Sequence, residues 1–550
     1  MLPTRFKSSF LVVSLAGTLV LGVAVGFWMP RDDDLFELRK NFRIFGAVYE
    51  ELVTGYVQPV DPERLMRTGV EAMLNELDPY TTFLDAADNA SIDMIMKGRY
   101  GGVGLDVGRR AGKITVVGPV ESASGYKQGI RAGDVITQVG NQSVSPLSLE
   151  DVQTLLRGEP GTTVEVTVER EGAPAPLTFT LTREEIDVQD VSYRGRVGVG
   201  DDVGYVKLER FTRDAASDVE SALRALRDGG KLAGVILDLR DNPGGLLAAA
   251  VDVTELFVPN GATIVTTEGR LPRANSTYRS DRAPLLPDLP LVVLVNGYSA
   301  SASEIVAGAI QDHERGVVLG TTTYGKGLVQ VIRSLPHNTS LKMTTAQYRT
   351  PDGRRIQDLD PTPFRDTSTA AGAGPDSSAA PADSGDGLAP DVKVATAPPS
   401  PLEEALKRRA AFFFYANHYA AEHDTLSPDF RVTDAVLSDF RSWLEAEGVR
   451  YPTDAEHAVR KLRKRFGADE YAEVEDEVAV LRKAVRAEKQ EAFRTHASDL
   501  KLHLEREIRA RFGSDSLQTA AMLPHDRQVS AAVELLHEPD RYGTVLSSSE

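Results

Sequence analysis

Leu291 to Val295 is an unbroken run of apolar residues, and Gly234 to Leu239 is apolar at every position but Asp238. A strand with one wet face alternates apolar and polar side chains, so runs like these belong in a sheet covered on both faces. Helical patterns lie between and after them: Ala215 to Leu226, Gly245 to Phe257 starting just past Pro243-Gly244, and an apolar stretch ending at Gln311. With a further strand at Gly204 to Leu208, this alternation predicts a multidomain α/β protein whose βαβ core spans residues 186–362. Such folds do chemistry where a strand ends and the next helix begins, because the first helical N–H groups point outward there.

Residues 96–183 have a different rhythm. Short β-rich runs are separated by glycines: Tyr100-Gly101-Gly102-Val103-Gly104-Leu105 leads into a strand, Lys113 to Val117 forms another, and Gly129-Ile130-Arg131-Ala132-Gly133-Asp134-Val135-Ile136 turns into a third. Leu149 to Leu156 reads as a helix, and Thr163 to Glu169 alternates as a strand should. This stretch resembles a PDZ domain, in which a peptide adds as an extra strand and its terminal carboxylate meets backbone N–H groups. The resemblance implies that Tyr100, Gly101, Gly102, Val103, Gly104 and Leu105 receive the peptide, and that the cargo is a protein with a free C-terminus. Glycine suits a backbone that a ligand must approach, although a tight turn would use the same residues.

Charge and cysteine usage narrow the classes. With 62 basic and 80 acidic residues the net charge is −18, which argues against a nucleic-acid partner, since phosphate affinity is built from clustered Lys and Arg. Cysteine is absent, so disulfides, thiol nucleophiles and Cys-based metal sites are excluded. Arg5 and Lys7 precede an uncharged run from Ser8 to Trp28, enough to span a bilayer with the basic end inside. Residues 1–30 are therefore expected to be a membrane anchor, or a signal peptide cut near Ala24 or Gly26, with the bulk exported to the periplasmic face of the inner membrane. Residues 34–95 should be helical: Leu35, Leu38, Phe42, Phe45 and Val48 recur at steps of three and four, as do Leu65, Gly69, Met73 and Leu77 after Asp61-Pro62. Those stripes should pack on the same chain or on a second copy.

Two strand-to-helix junctions carry candidate chemistry. Asp238-Leu239-Arg240-Asp241-Asn242-Pro243-Gly244-Gly245 leaves a strand with two glycines whose N–H groups could face a developing negative charge. Asn296-Gly297-Tyr298-Ser299-Ala300-Ser301-Ala302-Ser303-Glu304 sets serines at a helix N-terminus, where an ordinary cap would use the same residue type. A histidine base is poorly placed. His313 would lie about 18 Å along the helix at roughly 1.5 Å per residue, and His337 in Pro336-His337-Asn338 reads as a hairpin tip. Lys326, between Gly325 and Gly327 beside the β-rich run Leu328 to Ile332, is the better base, since burial lowers a lysine pKa from about 10.4 by up to ~3–5 units. Gly320 to Lys326 also spells G-x-x-x-x-G-K, but Gly327 stands where a phosphate loop needs Ser or Thr, and a strand rather than a helix follows.

At this point the chain resembles the carboxyl-terminal processing peptidases, or tail-specific proteases. The resemblance rests on Asp78-Pro79-Tyr80-Thr81, the PDZ-like stretch, Asp238-Leu239-Arg240 with Asn242-Pro243-Gly244-Gly245, Ser299 to Glu304, Tyr324-Gly325-Lys326-Gly327 with Gln330, and Thr350-Pro351 with Gly353-Arg354. It implies a crotonase- or Clp-protease-like core and a serine endopeptidase that needs no cofactor. Ser301 would be the nucleophile, Lys326 the base and Gln330 its orienting partner. Backbone N–H groups of Ala302 and of Gly244 or Gly245 would bind the oxyanion, with Asp312 a possible helper. A PDZ scaffold that binds C-termini without cutting is the alternative, and the intact Ser301, Lys326 and Gln330 set favours the enzyme. A second copy or an adaptor protein is a further expected partner. Residues 366–386 are too poor in apolar side chains to fold, 387–400 return to the core, and 401–550 form a charged helical region whose Phe412-Phe413-Phe414-Tyr415 cluster reads as packing between helices.

Overall fold

The computed structural model describes residues 32–85, 98–357 and 387–547, apart from 121, 188, 396–397, 428, 467–471 and 514. The expected anchor at 1–30 and the insert at 366–386 lie outside the described residues. Among the described residues no helix is long and apolar enough to cross a membrane. The chain divides into two compact units, one ending at Phe83 and one beginning at Leu84.

The first unit is a pair of helices, α1 (Asp32–Gly55) and α2 (Pro62–Leu74). Asp61 caps α2 by accepting from the Glu63 and Arg64 N–H groups, and Pro62 supplies a first-turn residue that needs no N–H partner. Tyr49 donates its hydroxyl to Pro62 O at 2.7 Å, and Phe45 lies over Gly69.

In the second unit, the glycine-punctuated segment folds into β1 (Arg99–Gly102), β2 (Leu105–Arg110), β3 (Lys113–Pro119), β4 (Val135–Val139), α3 (Leu149–Leu156), β5 (Thr163–Glu169), β6 (Leu177–Thr182) and β7 (Glu184–Asp187). The sheet order is β2-β3-β4-β5-β6, so β2 is an edge strand, and α3 packs beside it. Val107, Val116, Ile136, Val152, Val166 and Leu181 form its core. Asp134, in the Gly-Asp turn, is buried, accepts the Arg131 N–H and pairs with Arg170, which is why that turn closes without a buried unpaired charge.

The α/β core is one mainly parallel sheet of β8 (Val191–Val197), β9 (Val203–Leu208), β10 (Gly234–Asp238), β13 (Leu291–Val295), β14 (Val317–Gly320) and β17 (Val392–Lys393), in the order β8-β9-β10-β13-β14-β17. Only β8 runs antiparallel to its neighbour. Beside it, β11 (Thr263–Glu268), β12 (Ser276–Arg279), β15 (Leu328–Ser334) and β16 (Ser340–Arg349) form a second, antiparallel sheet. Alternate residues of the parallel strands serve two cores. Val206, Leu208, Val235, Leu237, Val293 and Val295 face α4 (Ala215–Asp228), α5 (Leu247–Glu255) and α6 (Ala302–Asp312). Tyr205, Ile236, Val292, Leu294, Val317 and Leu319 face the other way, where α14 (Arg527–Leu536) lays down Val529, Ala532, Leu535 and Leu536. The second helical layer of the α/β core therefore comes from the far end of the chain.

Before α14 the C-terminal region builds its own bundle from α7 (Pro401–Lys407), α8 (Ala411–Glu422), α9 (Asp434–Ala446), α10 (Asp454–Phe466), α11 (Ala472–Thr495), α12 (Ala497–Arg509) and α13 (Asp515–Met522), and α15 (Pro539–Ser547) follows α14. The aromatic run is packing: Phe412 and Tyr415 sit 5.5 and 5.0 Å from the Phe440 ring, among Leu444, Leu500, Leu504 and Ile508. Buried aromatic pairs of this kind contribute about 0.5–1.5 kcal/mol beyond their area.

Candidate active site

Three serines crowd the turn between β13 and α6, and their hydrogen bonds tell them apart. Ser299 is buried, donates to Leu239 O at 2.8 Å and accepts from the Asn296 N–H at 2.9 Å. Ser303 is buried and donates to Asn242 O at 2.9 Å. Both tie the turn to the Leu239–Asn242 loop. Ser301 is only partly buried and has φ +56, a left-handed conformation that costs a non-glycine residue about 1–3 kcal/mol and is held only where the surroundings enforce it. It directly precedes α6, so the N–H of Ala302, first in the helix, has no acceptor within the helix.

Glycines make room for this strained turn. Gly244 has φ +101, and a Cβ there would stand 2.7 Å from Ala300 O and 2.9 Å from Ser301 Cβ. Gly245, at φ +154, would collide with Phe211 O at 2.3 Å. Gly244 thus lies directly against the serine turn, and Gly245 against Phe211. The Gly244 N–H donates to Asn242 Oδ1 at 2.9 Å, while Asn242 Nδ2 is anchored on Leu208 O. Upstream in the same loop Arg240 grips buried Asp238 through Nε and Nη2. Burial alone would raise the Asp238 pKa, but the guanidinium reverses this and holds the carboxylate below its usual range.

Lys326 lies in the loop from β14 to β15 and donates Nζ to Gln330 Oε1 at 3.2 Å. The lysine loop and the serine turn share two partners. Glu304 Oε2 accepts the N–H of Ser301 at 2.7 Å and that of Lys326 at 2.9 Å, and Oε1 accepts from Gly325 N at 2.7 Å and Thr323 Oγ1 at 2.6 Å. Tyr348, buried on β16, reaches the carbonyl oxygens of both Ser301 and Lys326 with its hydroxyl. Burial pushes the Glu304 pKa up to about 7 against the pull of those four donors. Neither residue stands out in sequence as part of a site. Glu304 has the spacing of an ordinary capping box, Ser-x-x-Glu, and Tyr348 is one strand residue among many.

Other candidate residues are placed as follows. Asp312 ends α6, about 16 Å along the helix from Ser301 at roughly 1.5 Å per residue. There it accepts from the Asp352 N–H at 2.9 Å and pairs with Arg354. His313 bonds Thr263 O through Nε2 at 2.6 Å. In the PDZ-like segment Tyr100, Gly101 and Gly102 lie within β1 and pair with β7, and a Cβ at Gly101 would overlap Gly158 O at 2.1 Å. Val103 and Gly104, φ +68, make the turn into the edge strand that Leu105 opens. Among the described residues no group of His, Asp and Glu is arranged to hold a metal ion.

Comparison with known proteins agrees with this layout. The model of peptidase family S41 matches residues 202–363, that of a PDZ domain matches 115–170, and that of "Probable PDZ-protease, C-terminal helical domain" matches 402–536. The carboxy-terminal-processing protease of Bartonella bacilliformis is 39% identical over 329 residues, which cover 59% of this chain and 74% of that protein. The "Probable CtpA-like serine protease" of Staphylococcus aureus is 34% identical, with 58% of this chain and 63% of that protein covered. The solved photosystem II D1 C-terminal processing protease is 30% identical over 63% of this chain and 85% of its own, at a TM-score of 0.36. With a serine turn braced against a lysine loop and sequence relatives of this closeness, the chain belongs to peptidase family S41 and is a PDZ-containing protease of the serine type.

Proposed function

We propose that this chain hydrolyses peptide bonds of exported proteins selected by their C-terminal ends, through an acyl-enzyme on Ser301. The observation that carries the reading is the single Glu304 oxygen that accepts the N–H of both Ser301 and Lys326, which keeps a strained serine and a lysine loop side by side. In the proposed cycle Ser301 Oγ attacks the scissile carbonyl and gives its proton to neutral Lys326 Nζ, which Gln330 Oε1 orients. The oxyanion rests on the backbone N–H groups of Ala302 and Gly245, since that of Gly244 is already given to Asn242 Oδ1. Protonated Lys326 serves the leaving amine, the new N-terminus departs, and water then releases the acyl group. Peptide capture falls to the open edge of β2, where an added strand would run between β2 and α3 with its carboxylate at Val103-Gly104. The Ser8 to Trp28 run would hold the enzyme at the outer face of the inner membrane or export it there.

Ser301→Ala and Lys326→Ala should each abolish cleavage of an unfolded protein while leaving the melting temperature unchanged, because dyad members act as one unit. Lys326→Arg should be equally inactive, since a guanidinium does not give up its proton in proteins. Turnover at the wild-type rate in any of the three would refute the assignment.

A further inference from the structure

The C-terminal helical region touches both ends of the proposed machinery. At one end, Asn417 on α8 donates Nδ2 to Gly133 O at 2.9 Å, in the Gly-Asp turn of the PDZ-like segment. Gly133 has φ +97, and a Cβ there would stand 2.2 Å from Asn417 Oδ1, so this turn is shaped to let α8 approach. Arg511, just past α12, holds Asn417 from behind: Nε donates to Asn417 Oδ1 at 2.7 Å, Nη2 donates to Phe413 O at 3.0 Å, and the guanidinium lies 4.2 Å from the Phe413 ring centre. The second PDZ turn, at Gly172, rests on Ala421 of the same helix.

At the other end, Arg240 of the loop that leads to Gly244 donates Nη1 to Asp526 Oδ2 at 2.7 Å and to Gln528 Oε1 at 2.8 Å. Asp526 caps α14 through its other oxygen, and Gln528 Nε2 is itself fixed on Val394 O. Because Leu239 O and Asn242 O receive Ser299 and Ser303, a shift of Arg240 would move the loop against the serine turn. Along the chain only a short stretch containing α13 separates Arg511 from Asp526, so the PDZ contact and the Arg240 contact are close in sequence.

We propose that the C-terminal helical region is a brace that couples the seat of the PDZ-like segment to the oxyanion loop, with Asp526 and Gln528 as positioning residues acting through Arg240. It rests on the reading of Ser301 as the nucleophile and adds to it what a substrate-binding domain and an active site have in common physically. Coupling of this kind is defined by non-additivity between the two ends.

Two substitutions are selective. Asp526→Ser keeps a good helix cap while removing the acceptor from Arg240. Asn417→Asp keeps the acceptor for Arg511 but cannot donate to Gly133 O. In the full-length protein each should lower kcat on an unfolded protein about 5- to 20-fold, leaving KM within about twofold. The double variant should be no slower than the slower single one. Asp526→Asn, which retains a neutral acceptor, should fall between wild type and Asp526→Ser and serves if the serine variant folds poorly. In a Ser301→Ala background, hydrogen exchange of residues 239–245 should rise in both single variants. Unchanged kcat and unchanged exchange in Asp526→Ser, or losses that multiply in the double variant, would overturn the brace. Raised exchange in a protein that cleaves nothing would instead keep the brace and sink the hydrolytic reading.

Discussion

Glu304 shows how one side chain can do two jobs at different cost. As the third residue of α6 it would be an unremarked cap, yet its carboxylate is buried and receives four donors, two of them from the backbone of Ser301 and Lys326. Its pKa in the fold, about 7, lies above that of an unfolded glutamate near 4.3, so between those values the folded state binds the extra proton. Stability from this group is full below about pH 4.3 and is lost as pH rises through about 7. Glu304→Gln removes the titration, so the difference in melting temperature between parent and variant, measured in a Ser301→Ala background, should be larger at pH 5 than at pH 8. A difference independent of pH would contradict the assignment. Gly244 makes the complementary case, because its left-handed φ and its contact with Ser301 both exclude a side chain. Gly244→Ala should cost about 100-fold in kcat, because the added Cβ would push the Ser301 turn out of place by a large fraction of an ångström.

At the scale of the element, the proposed capture rests on the open edge of β2 and the packing of α3 beside it. A strand added there gains backbone hydrogen bonds whatever its sequence, and discrimination comes from its last side chains and its carboxylate. One substrate with a free, an amidated and a charged C-terminal residue should therefore be cleaved in that order of decreasing kcat/KM. Equal rates for all three would leave the PDZ-like segment as a spacer. α14 is the other decisive element. Leu536 is buried against Gly234, whose absent side chain makes space for it. Leu536→Ala should cost about 2–5 kcal/mol, read as a lowered midpoint in denaturant, because the sheet beneath cannot collapse to fill the gap.

Across the whole molecule, some features were legible from residue order alone and others were not. The apolar run Leu291 to Val295 had to be a strand covered on both faces, and it is β13 at those residues. Leu149 to Leu156 and Thr163 to Glu169 likewise carry their periodicity into α3 and β5 without change. These are local patterns, and a local period of two or 3.6 survives into the fold because burial selects it. The lysine loop was marked by Gly325 and Gly327, which flag a place where backbone must bend or approach closely, while Ser301 was picked out by the family resemblance. What covers the second face of the sheet was not: residues 527–547 read only as charged helix until they are seen against Tyr205, Ile236 and Val292. Nor could sequence distinguish Ser301 from Ser299 and Ser303 by physics alone, because that depends on which hydroxyls are spent on Leu239 and Asn242, some 60 residues earlier. Glu304 and Tyr348 are the same kind of case. Sequence sets what each segment can form, through propensity and pattern; only the folded chain decides which distant groups share a proton or a carboxylate, because those energies exist only after the intervening entropy of ordering has been met.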